Sequence, residues 1–116
     1  MDSAGYRRGI ELFNRGEFFE AHEVLEDGWR AAPHAEKKFL QGLIQIAVGL
    51  HHDSTGNRVG ARSLLARGGK NLSAYPDAYA GLDVAALRNA VAGCGDALAR
   101  GESLPRPPRI ELRETE

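Results

Sequence analysis

Cysteine is almost missing from this sequence, and the shortage excludes whole classes of protein. Cys94 is the only cysteine in the chain. No intrachain disulfide can therefore form, and no cluster of thiolates can hold a metal within one chain. Cys94 itself lies on the apolar face of a predicted helix. We therefore expect a small buried hydrophobic side chain there and not a reactive thiol.

Long apolar runs are also lacking. The longest one, residues 39–50, is interrupted by Gln41 and Gln45, whereas a membrane span needs about 20 consecutive apolar residues. The first eight residues lead to no apolar stretch of the kind found in signal peptides. We therefore expect no membrane partner and a cytoplasmic location.

Neither sign of charge is in large excess, because the formal net charge is −1. The chain as a whole has no electrostatic reason to seek nucleic acid, which we do not expect as a partner. The charges are nevertheless unevenly distributed. Residues 17–27 hold five acids and no Lys or Arg, while Arg58, Arg62, Arg67 and Lys70 share a stretch without an acid. We interpret these as solvated surfaces that attract each other, and we expect a homo-oligomer in which they meet.

Proline is scarce before residue 101, which leaves room for long helices. Pro33 and Pro76 are the only prolines there, and each follows the end of a predicted helix. Apolar residues recur at helical spacing, and the alternation typical of strands is absent. The sequence thus predicts an all-α fold, a compact bundle of five helices built from helical hairpins, without a sheet. The helices are residues 3–15, 17–32, 35–54, 58–75 and 83–100, and the third, apolar nearly all round, is expected at the centre.

Residues 101–116 differ in composition from the helical part. They contain Pro105, Pro107 and Pro108 and few apolar side chains. We expect a single helical domain at residues 1–100, followed by an extended tail that is either draped over the bundle or mobile.

A weak internal repeat supports the helical hairpins. Small and apolar residues recur at an offset of 40 residues, as Gly16 and Gly56, Ala21 and Ala61, and Leu25 and Leu65. That offset is typical of helical-hairpin repeats. Glycine at the turn and alanine at the crossing are what two closely packed helices require.

Two segments carry a resemblance to a known family. They are residues 13–26 (FNRGEFFEAHEVLE), followed by Trp29, and residues 39–52 (FLQGLIQIAVGLHH), followed by Gly56-Asn57 and Gly60-Ala61. Together they resemble the bacterial and archaeal family catalogued as domain of unknown function 309, over residues 5–75. The resemblance implies a compact all-helical fold and no established activity. The first hairpin also resembles a tetratricopeptide unit, which favours the same architecture.

Polar residues on otherwise buried helix faces form the candidate site. His22 and Glu26 are four residues apart at the edge of the buried stripe of the second helix, so their side chains can touch. Gln41, Gln45 and His52 form a polar stripe on the third helix. Burying such groups without partners costs about 1–3 kcal/mol each, so we expect the two sets to face each other. The candidate cluster is His22, Glu23, Glu26, Gln41, Gln45 and His52, with Asn57 at its rim.

This cluster has two interpretations. In the structural one it is a buried hydrogen-bond network that fixes helix register and supports the indole N–H of Trp29. In the functional one it opens to a cleft, with Glu23 or Glu26 as base and His22 as acid or ligand. The favoured function is a binding or interaction module, and the alternative is a small hydrolase-like or ligand- or metal-binding protein. Whether it is an enzyme stays open, and no cofactor or small-molecule ligand is assigned.

A metal site is not predicted. The run from His22 to Glu26 looks like a zincin helix whose second histidine is replaced by Glu26, and His51 or His52 would have to add a ligand. The downstream ligand pattern is absent, and Phe19 occupies the position where a di-iron bundle needs a glutamate. Charged residues on the outer side of the helices, including Glu20, Asp27 and Lys37, are expected to be dispensable.

Overall fold

The computed structural model describes residues 3–104 and 106–112. Pro105 and residues 113–116 of the predicted tail, and residues 1 and 2 of the predicted domain, lie outside these ranges. Within them the all-α fold is confirmed, but the expectation of no sheet is wrong, because one short β-hairpin is present. The elements are α1 (Ser3–Asn14), α2 (Phe18–Ala31), α3 (His34–Ser54), α4 (Arg58–Leu72), β1 (Ala78–Tyr79), β2 (Leu82–Asp83) and α5 (Val84–Ala99).

Two helical hairpins, α1–α2 and α3–α4, repeat the same turn. Gly16 and Gly56 have φ angles of +82° and +86°, a left-handed conformation that glycine adopts without steric strain. Ala21 and Ala61, five residues further on, are completely buried. The small residues singled out by the repeat therefore form the turn and the helix crossing.

The repeat extends to the contact between the two helices of each hairpin. A Cβ atom added at Gly9 would lie 2.7 Å from Cδ2 of Leu25, and one added at Gly49 would lie 3.3 Å from Cγ of Leu65. The glycine and the leucine of the second pair each lie 40 residues after those of the first pair. The same glycine-to-leucine contact thus brings the helices of each hairpin together.

Helix α3 packs between α2 and α4 and forms the centre of the molecule. Eight of its residues are buried, more than in any other described helix, and Phe39, Leu43 and Ile46 have no exposed surface. The approach to α4 is close, because a Cβ at Gly68 would lie 2.8 Å from the carbonyl oxygen of Gly42. The predicted central position of the third helix is confirmed.

The β-hairpin closes one end of the core. Tyr79 pairs with Leu82, and its ring packs 4.9 Å from that of Phe39. The rings of Tyr75 and Tyr6 lie 5.4 and 6.4 Å from Phe39, so all three tyrosines surround one phenylalanine. The Tyr6 hydroxyl donates a hydrogen bond of 3.0 Å to the Ala80 carbonyl and so ties α1 to the hairpin turn.

The described part of the tail is draped over the bundle. Nδ2 of Asn14 donates to the carbonyl of Ile110 at 2.9 Å, and Oδ1 of Asn14 accepts from the Ile110 amide at 2.8 Å. Ile110 is buried, and Leu112 forms an antiparallel bridge with Leu82. We call the reciprocal pair of hydrogen bonds the Asn14 clasp.

Cys94 is buried on α5 and is a free thiol. Burial raises its pKa, and the negative charge of Asp53 raises it further. A thiol that resists ionisation is a poor nucleophile, so the expectation of a core residue holds.

No helix within the described ranges combines the length and the apolar content that a membrane span needs.

Candidate functional site

The pair of His22 and Glu26 forms as its spacing predicts. Phe18, Ala21 and Leu25 turn into the core, which leaves His22 and Glu26 at the edge of the buried face. Nε2 of His22 lies 3.1 Å from Oε1 of Glu26, with side-chain exposures of 16% and 40%. The other ring nitrogen, Nδ1, contacts the carbonyl oxygen of Phe19. Both nitrogens of the imidazole are therefore engaged within α2.

An exposed aromatic ring stands beside this pair. Phe19 is 52% exposed, and Phe19 and Val59 are the two large apolar side chains left exposed in the described ranges. The Phe19 ring packs edge-on against His22, with centroids 4.8 Å apart, and lies 5.3 Å from the ring of His51 on α3. Two imidazoles thus hold an outward-facing phenylalanine in place. We call Phe19, His22, Glu26 and His51 the Phe19 patch.

Acidic side chains surround the Phe19 patch. Glu17, Glu20 and Glu23 are exposed, and none of them forms an ion pair within the described part of the chain. Asp27, further along α2, is paired with Arg30 at 2.6 Å. The start of α2 therefore presents an aromatic ring among free carboxylates.

The remaining predicted site residues do not join this pair. Oε1 of Gln45 accepts a hydrogen bond of 2.7 Å from Asn71, so Gln45 faces α4 and not α2. Gln41 is exposed. Nδ1 of His52 lies 3.5 Å from Nδ2 of Asn57, whose Oδ1 accepts from the Gly60 amide and caps the start of α4. The contacts divide the predicted cluster into separate groups on different helices.

The expectation that the cluster is buried needs correction. No polar or charged residue in the described ranges is fully buried. The predicted support of Trp29 is not formed either, because its Nε1 is buried without a hydrogen-bond partner among the described residues. A helical wheel gives the direction of a side chain, but not which of two neighbouring helices lies in that direction. Gln45 therefore accepts its hydrogen bond from α4, on the side of α3 away from α2.

The indole ring of Trp29 is instead in contact with the ammonium group of Lys37. Nζ of Lys37 lies 4.3 Å from the centroid of the indole and donates a hydrogen bond of 2.8 Å to the Trp29 carbonyl. Lys37 thereby satisfies a carbonyl at the C-terminal end of α2, where a positive charge is favourable. The expectation that Lys37 is a dispensable outer residue does not fit these contacts.

Two members of the Phe19 patch, Phe19 and His51, are not in the candidate site predicted from the sequence. Phe18 and Phe19 are adjacent on one helix, so their side chains point about 100° apart and cannot both enter the same core. That adjacency was the available signal for an exposed aromatic ring. His51 was considered only as a metal ligand, and its contact with Phe19 depends on how α2 and α3 pack. Among the described residues, no three His, Cys, Asp or Glu side chains converge so as to hold a metal ion.

Comparison with known proteins places these features in a family. The chain is 38% identical over 58 residues to the uncharacterized protein YpuF of Bacillus subtilis (strain 168), which is 49% of this chain and 33% of YpuF. It is 31% identical over 77 residues to an uncharacterized protein of Aquifex aeolicus (strain VF5), which is 66% of this chain and 23% of that protein. The chain thus spans a third or less of the curated relatives it matches.

The family model named "Domain of unknown function (DUF309)" matches residues 6–64. The matched region contains α1 from residue 6 onward, all of α2 and α3, and the start of α4, and with them the whole Phe19 patch. It ends before the β-hairpin, α5 and the tail. The chain belongs to the DUF309 family, whose function is unknown.

Proposed function

We propose that this domain is an interaction module that binds a basic partner polypeptide through the Phe19 patch and the acids around it. The observation that carries the proposal is the position of Phe19, half exposed and yet held by two imidazole rings. Exposed aromatic side chains with a fixed orientation are the usual anchors of protein interfaces, since little conformational entropy is lost when they are covered.

Charge favours a partner rich in Lys or Arg. Glu17, Glu20 and Glu23 offer carboxylates without cations of their own among the described residues. Such a surface attracts a basic segment over a distance and repels an acidic one. An amphipathic basic segment can cover Phe19 with its apolar side chains and place its cations against these acids.

The relatives support the reading as a module. In both of them the matching region is a minor part of the whole chain, which fits a domain that accompanies other sequence. The proposal includes a cytoplasmic location, where the free thiol of Cys94 stays reduced.

Binding is favoured over hydrolysis by the contacts of His22. Its Nε2 contacts Glu26, and its Nδ1 contacts a backbone carbonyl. A histidine that acts as an acid or base needs a nitrogen within reach of the substrate. Here both nitrogens are used to hold the ring, and the ring in turn holds Phe19.

A titration of the ¹⁵N-labelled chain with two synthetic peptides tests the proposal. One peptide is an amphipathic helix of Lys and Leu, and the other replaces each Lys by Glu. We expect the Lys peptide to shift the backbone amide signals of α2 in a saturable way, and the Glu peptide to leave them unchanged. The variant Phe19→Ala should weaken the Lys peptide about tenfold, which corresponds to about 1.4 kcal/mol.

Val59→Ala is the matched control, because Val59 is 82% exposed on α4 and lies outside the patch. It should bind the Lys peptide as the parent does. Equal weakening by both variants, or signals that shift on α4 and not on α2, would argue against the proposal.

We also propose that the chain self-associates through its own opposite charges. The exposed acids at the start of α2 and the exposed Arg67 of α4 are opposite charges on one chain, and they can attract each other between two copies. Sedimentation velocity at micromolar concentration should show association at low salt that is lost at high salt. A monomer under both conditions would contradict it.

A further inference from the structure

An open groove of about 700 Å³ lies between helices α4 and α5. Five small residues along the two facing surfaces leave this space, namely Ala66, Gly69, Ala92, Gly95 and Ala99. A Cβ atom at Gly95 would have no neighbour within 4 Å, and one at Gly69 would meet only Val91 at 3.8 Å. The groove thus exists because side chains are missing where two helices would otherwise interdigitate.

Cations line this groove in excess over acids. Arg62 and Lys70 of α4 and Arg88 of α5 contribute to the lining, against Asp96 as the acid. Neither Arg62 nor Lys70 has an ion pair with any residue that the structure describes. Nη2 of Arg88 pairs with Asp77 at 2.8 Å, while its Nε is buried without an acceptor in the described chain.

Two of the cations lie at the same end of the groove. Asp77 follows the end of α4 by five residues and accepts from Arg88 at the start of α5. A Cβ at Gly69, next to Lys70, would lie 3.8 Å from Val91, three residues after Arg88, which places Lys70 and Arg88 at the same end of the groove. From Lys70 the groove runs eight residues back along α4 to Arg62, a length of about 12 Å at the rise of an α-helix.

The floor between the cations is apolar. Leu65 and Val91, both buried core residues, form it together with Ala66 and Ala92. Small-molecule sites typically combine an apolar floor with a few polar groups in a volume of about 300–1,000 Å³. The groove meets both conditions.

We propose that the α4–α5 groove binds a small amphipathic organic anion. The apolar body lies on the floor, and its carboxylate or phosphate head contacts Lys70 and Arg88. The head group accepts from Lys70, which has no ion pair among the described residues, and from the guanidinium of Arg88. No residue of the groove belongs to the Phe19 patch, so this site is separate from the proposed peptide surface.

The probes are octanoate, octyl phosphate, octanamide and inorganic phosphate, each titrated into the ¹⁵N-labelled full chain. We expect octanoate or octyl phosphate to shift the amide signals of Gly69 and Gly95 in a saturable way. Octanamide, which has the chain but no charge, and inorganic phosphate, which has the charge but no chain, should each bind at least about tenfold more weakly. Whichever of the two octyl anions binds more tightly identifies the head group.

Filling the groove separates binding from folding. Gly95→Leu places a side chain in the open space, and Gly93→Leu makes the same change on α5 outside the groove, where a Cβ also has no neighbour within 4 Å. Both variants gain helix propensity, so both should fold. Gly95→Leu should abolish binding of the octyl anions, and Gly93→Leu should retain it.

Removing the charge provides the second comparison. Lys70→Ala should weaken the octyl anions about tenfold, whereas Lys38→Ala, an exposed lysine of α3 outside the lining, should not. The proposal is overturned if neither octyl anion gives a saturable shift. It is equally overturned if octanamide binds as well as octanoate, or if Gly95→Leu binds as the parent does.

Discussion

Two adjacent lysines at the start of α3 have different surroundings. Nζ of Lys37 donates to the carbonyls of Trp29 and Arg30 at 2.8 and 3.4 Å and lies over the indole ring. Lys38 is exposed. We expect Lys37→Ala to lower the free energy of unfolding by about 1–2 kcal/mol, because it removes a cation–π contact and a helix cap together. Urea denaturation followed by far-UV circular dichroism measures it.

Lys38→Ala is the control for that measurement. An exposed lysine without such contacts should change the free energy of unfolding by less than about 0.5 kcal/mol. Coincident denaturation curves for the two variants would show that Lys37 does not cap α2 in solution.

Gly16 and Gly28 should respond in opposite directions to alanine. Gly16 has a φ angle of +82°, where a side chain costs about 1–2 kcal/mol. Gly28 lies within α2, with nothing within 4 Å of an added Cβ, and there alanine should add about 0.5–1 kcal/mol through helix propensity. Thermal denaturation should therefore give a lower midpoint for Gly16→Ala and a higher one for Gly28→Ala. Shifts of the same sign would be inconsistent with this turn.

Among the longer segments, the tail depends on the Asn14 clasp. In Asn14→Ala both backbone groups of the buried Ile110 lose their partner, which should lower the free energy of unfolding by about 1–3 kcal/mol. Hydrogen exchange at the Ile110 amide should accelerate at the same time. Asn89→Ala, at an exposed position on α5, should leave both quantities unchanged, and a protected Ile110 amide in Asn14→Ala would refute the role of the clasp.

The helices could be predicted because their signals are local. Proline, glycine and the spacing of apolar residues lie within a few positions of the helix ends that they mark, and the all-round apolar character of α3 indicated its central place. The β-hairpin could not be predicted in this way. Its strands have two residues each, too few to show alternation, and Leu82 is paired partly by Leu112 from the tail.

The candidate site could likewise be predicted only where its contacts lie within one helix. His22 and Glu26 meet because four residues on one helix bring them together, whatever the rest of the chain does. The contact between Phe19 and His51 and that between Gln45 and Asn71 join different helices. They depend on the packing of α3 against α2 on one side and α4 on the other, which periodicity does not specify.

For the molecule as a whole, the tyrosines around Phe39 predict a loss of stability in alkali. Burial raises the pKa of Tyr6 above its ordinary value of 10.0, and Tyr79 and Glu36 raise it further. The unfolded chain therefore releases this proton at a lower pH than the native protein does. The contribution of Tyr6 to the free energy of unfolding should be constant through neutral pH and should fall as the pH rises above about 10.

Urea midpoints measured between about pH 8 and 11 test this expectation. Tyr6→Phe should flatten the alkaline decline, at the expense of the hydrogen bond to Ala80. Its midpoint at neutral pH should be lower because that bond contributes about 1 kcal/mol. A decline as steep as that of the parent would assign the effect to other groups.

The Asn14 clasp also has a consequence for the order in which the molecule forms. Its two residues are 96 positions apart in sequence, whereas each helical hairpin joins neighbouring segments. Closing a short loop costs less chain entropy than closing a long one, so both hairpins can assemble on a nascent chain before Ile110 has left the ribosome. We expect pulse-labelled amides of α1 to α4 to become protected first and that of Ile110 last. The Asn14 side chain of the first helix thus stays open to solvent until Ile110, 96 residues further along the chain, has been synthesised.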